Sequence, residues 1–401
     1  MNISIQPQPL KGKIGAIPSK SAAHRLLICA ALADRETRIY CPALSKDIEA
    51  TVQCLNALGA NITYSKGLFT VWPIESVKEN ARLDCGESGS TLRFLLPVVC
   101  ALGGGASIKM HGRLPKRPLS PLWEELEAHG AMLSRPTEDT ISVGGGLSVG
   151  AYRIRADISS QYISGLLFAL PILDGKSSLE LEGNIESAGY IEMTRQAQAA
   201  FGLDIPFDGA RFEIASAACY KSPGDAEVEG DWSNAAFWLA AKLLSGGGLE
   251  VCGLRQDSLQ GDKAVVELIE NISKGKAVVD VKNVPDLVPV LSVVAAVSPG
   301  KTEFVNGARL RIKESDRIAS TCRMLRALGA ECEEKPEGLV VHGGKLLGGT
   351  VDGENDHRIV MSAAVAAIAC EKPVTIIGAQ AADKSYPAFF EDYKKLGGKI
   401  L

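Results

Sequence analysis

Apolar residues along this chain fall into two helical patterns that alternate. Runs such as ESGSTLRFLLPVVCALG and ENDHRIVMSAAVAAIA are apolar on nearly every side, as expected of helices enclosed by other structure. Amphipathic runs end in phrases such as CLNALGANITY and MLRALGAECEE, where a glycine precedes a short strand pattern. Glycine is favoured directly after a helix because it readily adopts positive φ. The chain is therefore predicted to alternate buried helices, amphipathic helices and short strands.

Both patterns recur at a nearly constant spacing. The glycines that follow the amphipathic helices are Gly59, Gly130, Gly202, Gly275, Gly329 and Gly397. The buried helices begin near Ser21, Ser90, Ser160, Ser233, Asp286 and Asp356, which are separated by 69, 70, 73, 53 and 70 residues. A regular period indicates repeated supersecondary units. We predict six such units in an α/β (α+β) fold, and the length of 401 residues favours two domains.

Composition and charge exclude several classes of protein. The net charge of −4 gives no overall field to attract nucleic acid or a membrane. The longest apolar stretches, such as 287–297, are too short to span a bilayer, and the N-terminal phrase lacks the apolar core of a secretion signal. Ten cysteines and five histidines show no zinc-ligand spacing. We expect a cytoplasmic monomer with no metal, no cofactor, and no nucleic-acid or membrane partner.

Cations and hydroxyl groups collect where the helices are predicted to start. A helix N-terminus attracts phosphate and carboxylate groups because its N–H groups are unpaired. Residues of this kind occur in the phrases SKSAAHR, ESGSTLR, DISSQ, GRLPKRP, NDHR and DKSYP. Each residue alone has a more ordinary explanation: Ser21, Ser90 and Ser160 can be helix caps, and Arg25 can pair with a carboxylate. Together they indicate an anionic ligand.

The phrase KESDR (313–317) gives further reason to expect an anionic ligand. Ser315 or Asp316 can cap the helix that follows, and carboxylates suit its first turn. Lys313 and Arg317 do not, because cations oppose the helix dipole at that end. A phosphate-loop pattern at AAVSPGKT (295–302) follows a helical run rather than a strand, and Pro299 lacks a needed N–H. Nucleotide binding there is disfavoured, and an anionic small molecule remains the favoured ligand.

Eight phrases together resemble one known family. SKSAAHR, ESGSTLRFL, RPLSPL, SSQYISGLL, VPDLVPVL, RIKESDRI, NDHRIVM and DKSYP occur in the order typical of 5-enolpyruvylshikimate-3-phosphate synthases, over essentially the whole chain. The resemblance implies a two-domain, inverse α/β barrel with three βαβαββ units in each domain. It also implies that 1–18 joins 230–401 in one domain, that 19–229 forms the other, and that the active site lies in the cleft between them.

The resemblance further implies a reaction without a metal. The family transfers the enolpyruvyl group of phosphoenolpyruvate to the 5-hydroxyl of shikimate 3-phosphate and releases phosphate, by addition and elimination through a tetrahedral intermediate. Both substrates carry a phosphate and a carboxylate, which would explain the clustered cations.

By the same resemblance, individual residues receive expected roles. Catalysis would involve Asp286 as proton acceptor, Glu314 as proton donor to the methylene carbon, and Lys20. Shikimate 3-phosphate would contact Lys20, Ser21, Arg25, Ser159, Ser160, Gln161, Ser187, Tyr190, Asp286 and Lys313. Phosphoenolpyruvate would contact Lys20, Gly89, Arg117, Gln161, Arg317, Arg358 and Lys384. Without the resemblance, Asp286 would as readily be explained as a helix cap.

Some positions depart from the family pattern, and other functions compete. Glu87 stands where the family commonly has Asn, Ser90 where Thr is usual, and Arg309 where a polar phosphate contact is common. The related UDP-N-acetylglucosamine 1-carboxyvinyltransferases usually carry a reactive cysteine that the loop HGRLPKRPL (111–119) lacks. A non-catalytic anion-binding relative would not need both Asp286 and Glu314. The shikimate 3-phosphate enzyme is therefore the favoured interpretation.

Overall fold

In a computed structural model, which describes residues 1–216 and 219–401, the chain divides into two compact units. One unit contains Met1–Ile17 and Glu229–Leu401, and the other contains Pro18–Val228. Each unit has its own large hydrophobic core of buried side chains. The chain therefore enters the second unit once and returns to the first.

The described residues form twelve α-helices, which alternate as the sequence predicts. They are α1 Lys20–Ala31, α2 Lys46–Leu58, α3 Gly89–Leu102, α4 Leu122–Ala128, α5 Ser160–Ala169, α6 Ala188–Ala200, α7 Trp232–Leu244, α8 Val265–Ser273, α9 Val288–Val297, α10 Arg317–Ala327, α11 His357–Ala366 and α12 Phe389–Lys395. The odd-numbered helices are buried over most of their length, and the glycines after the even-numbered helices all have φ between 76° and 125°. The prediction of glycine-terminated amphipathic helices is confirmed.

Twenty-one strands connect these helices in the described residues. They are β1 Asn2–Gln6, β2 Gly12–Gly15, β3 Thr37–Tyr40, β4 Asn61–Ser65, β5 Leu68–Trp72, β6 Ala81–Asp84, β7 Ala106–Lys109, β8 Ala131–Thr137, β9 Thr140–Gly145, β10 Ala151–Arg155, β11 Ser177–Glu182, β12 Arg211–Ile214, β13 Asp225–Glu227, β14 Leu249–Cys252, β15 Ala277–Asp280, β16 Lys301–Val305, β17 Glu331–Lys335, β18 Gly338–His342, β19 Gly349–Asp352, β20 Val374–Ile377 and β21 Lys399–Ile400. They form open sheets of mixed direction, which confirms the α/β class.

Each unit repeats one arrangement of helix and sheet. In the unit of Pro18–Val228 the sheets have the orders β13-β3-β5-β4, β6-β7-β9-β8 and β10-β11-β12; in the other unit they are β19-β20-β1-β21, β14-β2 and β15-β16-β18-β17. Parallel pairs such as β6–β7 and β15–β16 flank a buried helix, and antiparallel strands complete the sheet. The buried helices thus pack against the sheets, and their first turns carry many of the predicted site residues.

The buried helices pack closely because small residues lie at their crossings. In α5, a Cβ atom on Gly165 would overlap the backbone carbonyl of Arg93 in α3. Apolar side chains of the same helices, including Leu95 and Leu166, are completely buried. Close packing fixes the position of each helix start relative to the others in its unit.

Candidate active site

The start of α1 carries the first cation of the candidate site. Ser19 caps the helix by accepting a hydrogen bond from the backbone N–H of Ala22, so Lys20 is the first helical residue. The Lys20 ammonium lies 2.7 Å from a carboxylate oxygen of Asp47 in α2, and the two side chains are 16% and 14% exposed. This ion pair holds the ammonium beside the first turn of α1, next to Ser21.

Arg25, one turn further along α1, is almost completely buried. Its Nε donates to Thr194 Oγ1 at 2.9 Å, and its Nη atoms donate to the carbonyls of Ser21 at 2.7 Å and Tyr190 at 2.8 Å. The guanidinium lies 5.0 Å from the centroid of the Phe94 ring. Burial lowers the pKa of Arg25 to about 10, so it remains cationic at neutral pH. Because these hydrogen bonds go to neutral oxygens, its charge is available to an anionic ligand.

The start of α3 brings two further guanidinium groups to the backbone. Ser88 caps this helix through the N–H of Thr91. A Cβ atom on Gly89 would lie 2.6 Å from Nη1 of Arg117 and 2.8 Å from Nη1 of Arg93. Glycine therefore allows both guanidinium groups to approach the first turn of α3, where unpaired N–H groups also favour an anion.

Gln161 is oriented by residues of α3. Arg93 donates from Nη1 to the Gln161 amide oxygen at 2.9 Å, and the Gln161 amide nitrogen donates to Ser90 Oγ at 2.9 Å. Ser159 caps α5, and Ser160 is the first helical residue. The starts of α3 and α5 are thus joined by a fixed side-chain amide.

The start of α6 contributes Ser187 and Tyr190. Ser187 is buried and adopts a left-handed backbone with φ 55° and ψ 42°, which is uncommon for a residue other than glycine. The Tyr190 carbonyl accepts the hydrogen bond from Arg25, and its ring lies 6.0 Å from the same guanidinium. The structure therefore links the predicted residues Ser21, Arg25 and Tyr190 directly.

In the other unit, Arg317 is the centre of an ionic cluster. This first residue of α10 is 1% exposed, and its guanidinium contacts three carboxylates. The donor–acceptor distances are 2.6 Å to Asp286, 2.5 Å to Glu314 and 2.8 Å to Asp356. Ser315 also donates to Asp356, at 2.9 Å. The cation that opposes the helix dipole is therefore matched in part by carboxylates of the protein itself.

Asp286 lies among three cations of this unit. Arg317 contacts one of its carboxylate oxygens, Arg358 Nη2 lies 3.3 Å from the other, and Lys313 Nζ is 3.9 Å away. Burial raises the pKa of Asp286, but Arg358, Lys313 and Arg317 together lower it well below its ordinary value. Asp286 is thus a carboxylate at neutral pH.

Two lysines complete the cluster. Burial lowers the pKa of Lys313 to about 8, while Asp286 raises it and Arg317 lowers it further. Lys384, which is 8% exposed, donates to the backbone carbonyl of Asn355 at 2.7 Å. Arg358 donates to Ser233 Oγ at 2.6 Å. Lysines and arginines from three separate chain segments therefore surround the first turns of α9 and α11.

The helix caps differ from the sequence-based expectation. Ser21, Ser90 and Ser160 could each have been explained as a cap, but each lies inside its helix. The capping residues come one or two positions earlier, at Ser19, Ser88 and Ser159. Asp286 is no cap either, because it lies in a 3-10 turn, Pro285–Leu287, without a side-chain cap bond. Asp316 does cap α10, as KESDR suggests.

Several residues that contact the predicted site residues had no predicted role themselves. Arg93 orients Gln161, Asp47 pairs with Lys20, and Asp356 pairs with Arg317. Sequence patterns explain carboxylates near helix starts through the dipole alone, so Asp47 and Asp356 gave no distinct signal. Of the departures from the family pattern, Arg309 donates to the Lys282 carbonyl at 2.9 Å.

The described residues offer neither a metal site nor a membrane-spanning helix. Over residues 1–216 and 219–401, three or more His, Cys, Asp or Glu side chains do not come together in a group able to hold a metal ion. Over the same residues, each helix is too short or too polar to cross a membrane.

Comparison with known proteins gives a consistent set of relatives. The family model described as EPSP synthase (3-phosphoshikimate 1-carboxyvinyltransferase) matches residues 5–393. The curated 3-phosphoshikimate 1-carboxyvinyltransferase of Clostridium kluyveri is 40% identical over 424 aligned residues, covering 99% of this chain and 98% of the relative. The enzyme of the same name from Clostridium beijerinckii is 38% identical, with 99% and 98% covered.

Solved structures agree on the fold. An EPSP synthase from Acinetobacter baumannii superposes with a TM-score of 0.82 and 23% sequence identity, covering 100% of this chain and 99% of the other. A second structure from the same organism gives a TM-score of 0.81. At this level of identity the likeness shows the fold.

Proposed function

The chain belongs to the EPSP synthase (3-phosphoshikimate 1-carboxyvinyltransferase) family, and we propose on that basis that it transfers the enolpyruvyl group of phosphoenolpyruvate to the 5-hydroxyl of shikimate 3-phosphate, releasing phosphate. The observation that carries the proposal is the cluster around Asp286, where a carboxylate is held ionised among Lys313, Arg317 and Arg358. Transfer of the 5-hydroxyl proton needs a base, and Asp286 supplies a carboxylate for it among the cations that would hold the substrates.

Four anionic groups need to be held, a phosphate and a carboxylate on each substrate. For shikimate 3-phosphate we propose Lys20, Ser21, Arg25, Ser159, Ser160, Gln161, Ser187, Tyr190, Asp286 and Lys313. For phosphoenolpyruvate we propose Lys20, Gly89, Arg117, Gln161, Arg317, Arg358 and Lys384. Helix starts contribute backbone N–H groups alongside these side chains. That residues of both units act on one pair of substrates is part of this proposal.

Asp286 is proposed to take the proton of the 5-hydroxyl as that oxygen adds to C2 of phosphoenolpyruvate. In the ligand-free protein its low pKa makes it a weak base. Substrate phosphate and carboxylate groups would offset the charges of Arg358 and Lys313, so its pKa would rise when both substrates are bound. The base would then be strengthened only in the complex that reacts.

Addition at C2 requires a proton at C3, which we assign to Glu314. The methylene becomes a methyl group and a tetrahedral intermediate forms. In the elimination, the methyl group returns one proton to Glu314. The bond between C2 and the phosphate oxygen breaks, and the double bond between C2 and C3 forms again. The proton taken from the hydroxyl leaves with phosphate. Lys20 would stabilise the negative charge of the departing phosphate.

The test is phosphate release from phosphoenolpyruvate, with shikimate 3-phosphate and UDP-N-acetylglucosamine offered separately. Release with shikimate 3-phosphate alone, lost in Asp286→Ala and Lys20→Ala, is expected. Release with the sugar nucleotide alone would assign the chain to the other transferase activity, and folded protein inactive with both would leave an anion-binding role. A cytoplasmic monomer is part of the same proposal, and a dimer by light scattering would contradict it.

A further inference from the structure

A buried carboxylate without an assigned role lies behind Arg358. Asp262 is 1% exposed, in a 3-10 turn of residues Gly261–Ala264. It is hydrogen-bonded to the hydroxyl of Ser233, and that hydroxyl accepts the 2.6 Å hydrogen bond from Arg358 Nη2. Because Arg358 also contacts Asp286, Asp262 is linked to the proposed base through two residues, Ser233 and Arg358.

The charges around Asp262 are unbalanced. The charged groups that face it are Asp286 from the 3-10 turn before α9, Asp231 from the cap of α7, and Arg358 from α11. Lys263, its neighbour in the same turn, points its ammonium at the carbonyls of residues 256 and 258. Asp286 is also stabilised by Arg317 and Lys313, whereas Asp262 faces two carboxylates and the guanidinium of Arg358. A buried carboxylate in such surroundings favours protonation.

An anion bound to Arg358 would make this imbalance larger. Its negative charge would take up part of the attraction that now stabilises the carboxylates, while Asp262 is buried, so solvent does not compensate for the loss. We propose that Asp262 is a positioning residue that becomes protonated when an anionic group of the substrate binds to Arg358, and that this proton uptake tightens binding. This inference rests on the proposed function, since it takes Arg358 to be a phosphoenolpyruvate contact.

The pKa of Asp262 agrees with this direction. Burial first, and then Asp286, raise the pKa of Asp262 to about 6, against the opposing effects of Arg358 and Ser233. As the pH rises above that value, Asp262 in the ligand-free protein is increasingly ionised. Each binding event must then include uptake of a proton, so the affinity for the anion falls as the pH rises. An uncharged residue at this position would remove that dependence.

The experiment compares Asp262→Asn with the wild-type protein and with Asp257→Asn. Asparagine keeps an oxygen for the Ser233 hydroxyl and removes the charge, while Asp257 is an exposed carboxylate five positions earlier in the same segment. KM for each substrate and kcat are measured across neutral pH. By about pH 8, the KM of the wild-type protein for phosphoenolpyruvate should exceed that of Asp262→Asn by about threefold to tenfold, with the two converging at acid pH.

The controls distinguish an effect of Asp262 on phosphoenolpyruvate binding from a general effect of removing a carboxylate. Asp257→Asn should match the wild-type protein, and KM for shikimate 3-phosphate should follow one pH profile in all three proteins. Calorimetry of phosphoenolpyruvate binding in buffers of different ionisation enthalpy should show more protons taken up by the wild-type protein than by Asp262→Asn. If the wild-type protein turns over and Asp262→Asn has the same KM profile and proton uptake, the inference is wrong. If the wild-type protein does not turn over, the proposed function fails instead.

Discussion

At the scale of single residues, the candidate site depends on side chains whose surroundings differ sharply although their types are the same. Arg317 and Arg323 both lie on α10, and both pair with carboxylates. The Arg317 side chain is 1% exposed and contacts Asp286, Glu314 and Asp356, whereas Arg323 is 56% exposed and contacts Glu354. Loss of one partner from a buried ion pair destabilises a protein far more than loss of one partner from an exposed pair.

Replacement of Arg317 is therefore expected to destabilise the protein. Arg317→Met would leave the fully buried Asp356 without its cation, and the free energy of unfolding should fall by about 3–5 kcal/mol. Arg323→Met on the same helix should cost less than about 1 kcal/mol. Denaturant unfolding of both variants measures the difference, and equal losses would contradict the buried cluster.

Replacement of Gly89 by alanine adds one carbon atom beside the proposed phosphoenolpyruvate contacts and so tests them. In Gly89→Ala the new Cβ would force Arg117 and Arg93 away from the first turn of α3. Because only the ends of flexible side chains must move, folding should be preserved, while KM for phosphoenolpyruvate should rise about tenfold. KM for shikimate 3-phosphate should rise less, because Arg93 acts on that substrate only through Gln161. Gly146→Ala, where a Cβ meets nothing within 4 Å, should behave as the wild-type protein. An unchanged KM in Gly89→Ala would argue against the proposed contact.

At the scale of elements, a series of buried hydrogen bonds connects α1, α2 and the start of α3. His24 Nδ1 lies 2.7 Å from Thr51 Oγ1, which lies 2.7 Å from Thr91 Oγ1, which in turn donates to the Ser88 hydroxyl at 2.7 Å. Burial first, then Lys20 and Arg25, lower the pKa of His24 well below its ordinary value. The neutral imidazole and hydroxyls thus connect α1, α2 and the cap of α3.

Removal of the central hydroxyl should weaken this connection. Thr51→Val keeps the shape of the side chain but leaves the buried Nδ1 of His24 unsatisfied and removes one hydrogen bond of Thr91, which should cost about 1–3 kcal/mol. Thr63→Val on the exposed face of β4 is the matched control and should stay within about 0.5 kcal/mol. Thermal unfolding measures both variants. If Thr51→Val were as stable as Thr63→Val, these hydrogen bonds would not fix the helices relative to one another.

The elements themselves follow from local patterns, whereas the partners inside the site do not. Period and glycine position predicted six buried and six amphipathic helices, because those features depend on neighbouring residues in sequence. The pairs Lys20–Asp47 and Arg317–Asp356 join residues 27 and 39 positions apart. They depend on how helices pack, which no local pattern specifies. The domain limits and the roles of the site residues inferred from family resemblance stay predictions.

At the scale of the whole molecule, the ionic cluster links stability to pH. The pKa values of Asp286 and Asp356 are lowered by their cations despite burial. A carboxyl group with a lowered pKa stabilises the folded state fully above its unfolded pKa, near about 4. That stability is lost as the pH falls through about 4 and below, when the unfolded chain binds protons that the folded protein does not.

Acid unfolding should show this dependence. The free energy of unfolding of the wild-type protein should fall steeply below about pH 4, and the fall should be smaller in Asp286→Asn, which has one such carboxylate fewer. Unfolding by urea at a series of pH values measures both proteins. Parallel pH profiles would show that Asp286 is not held ionised by its neighbours.

The reaction run in heavy water, with phosphoenolpyruvate and shikimate 3-phosphate, tests the proposed addition and elimination most directly. Addition and elimination pass through a methyl group at C3, so the enolpyruvyl methylene of the product should carry deuterium and one phosphate should be released per ether formed. Mass spectrometry and NMR of the product measure both. Phosphate release without an ether product, or an ether whose methylene contains no deuterium, would contradict the account.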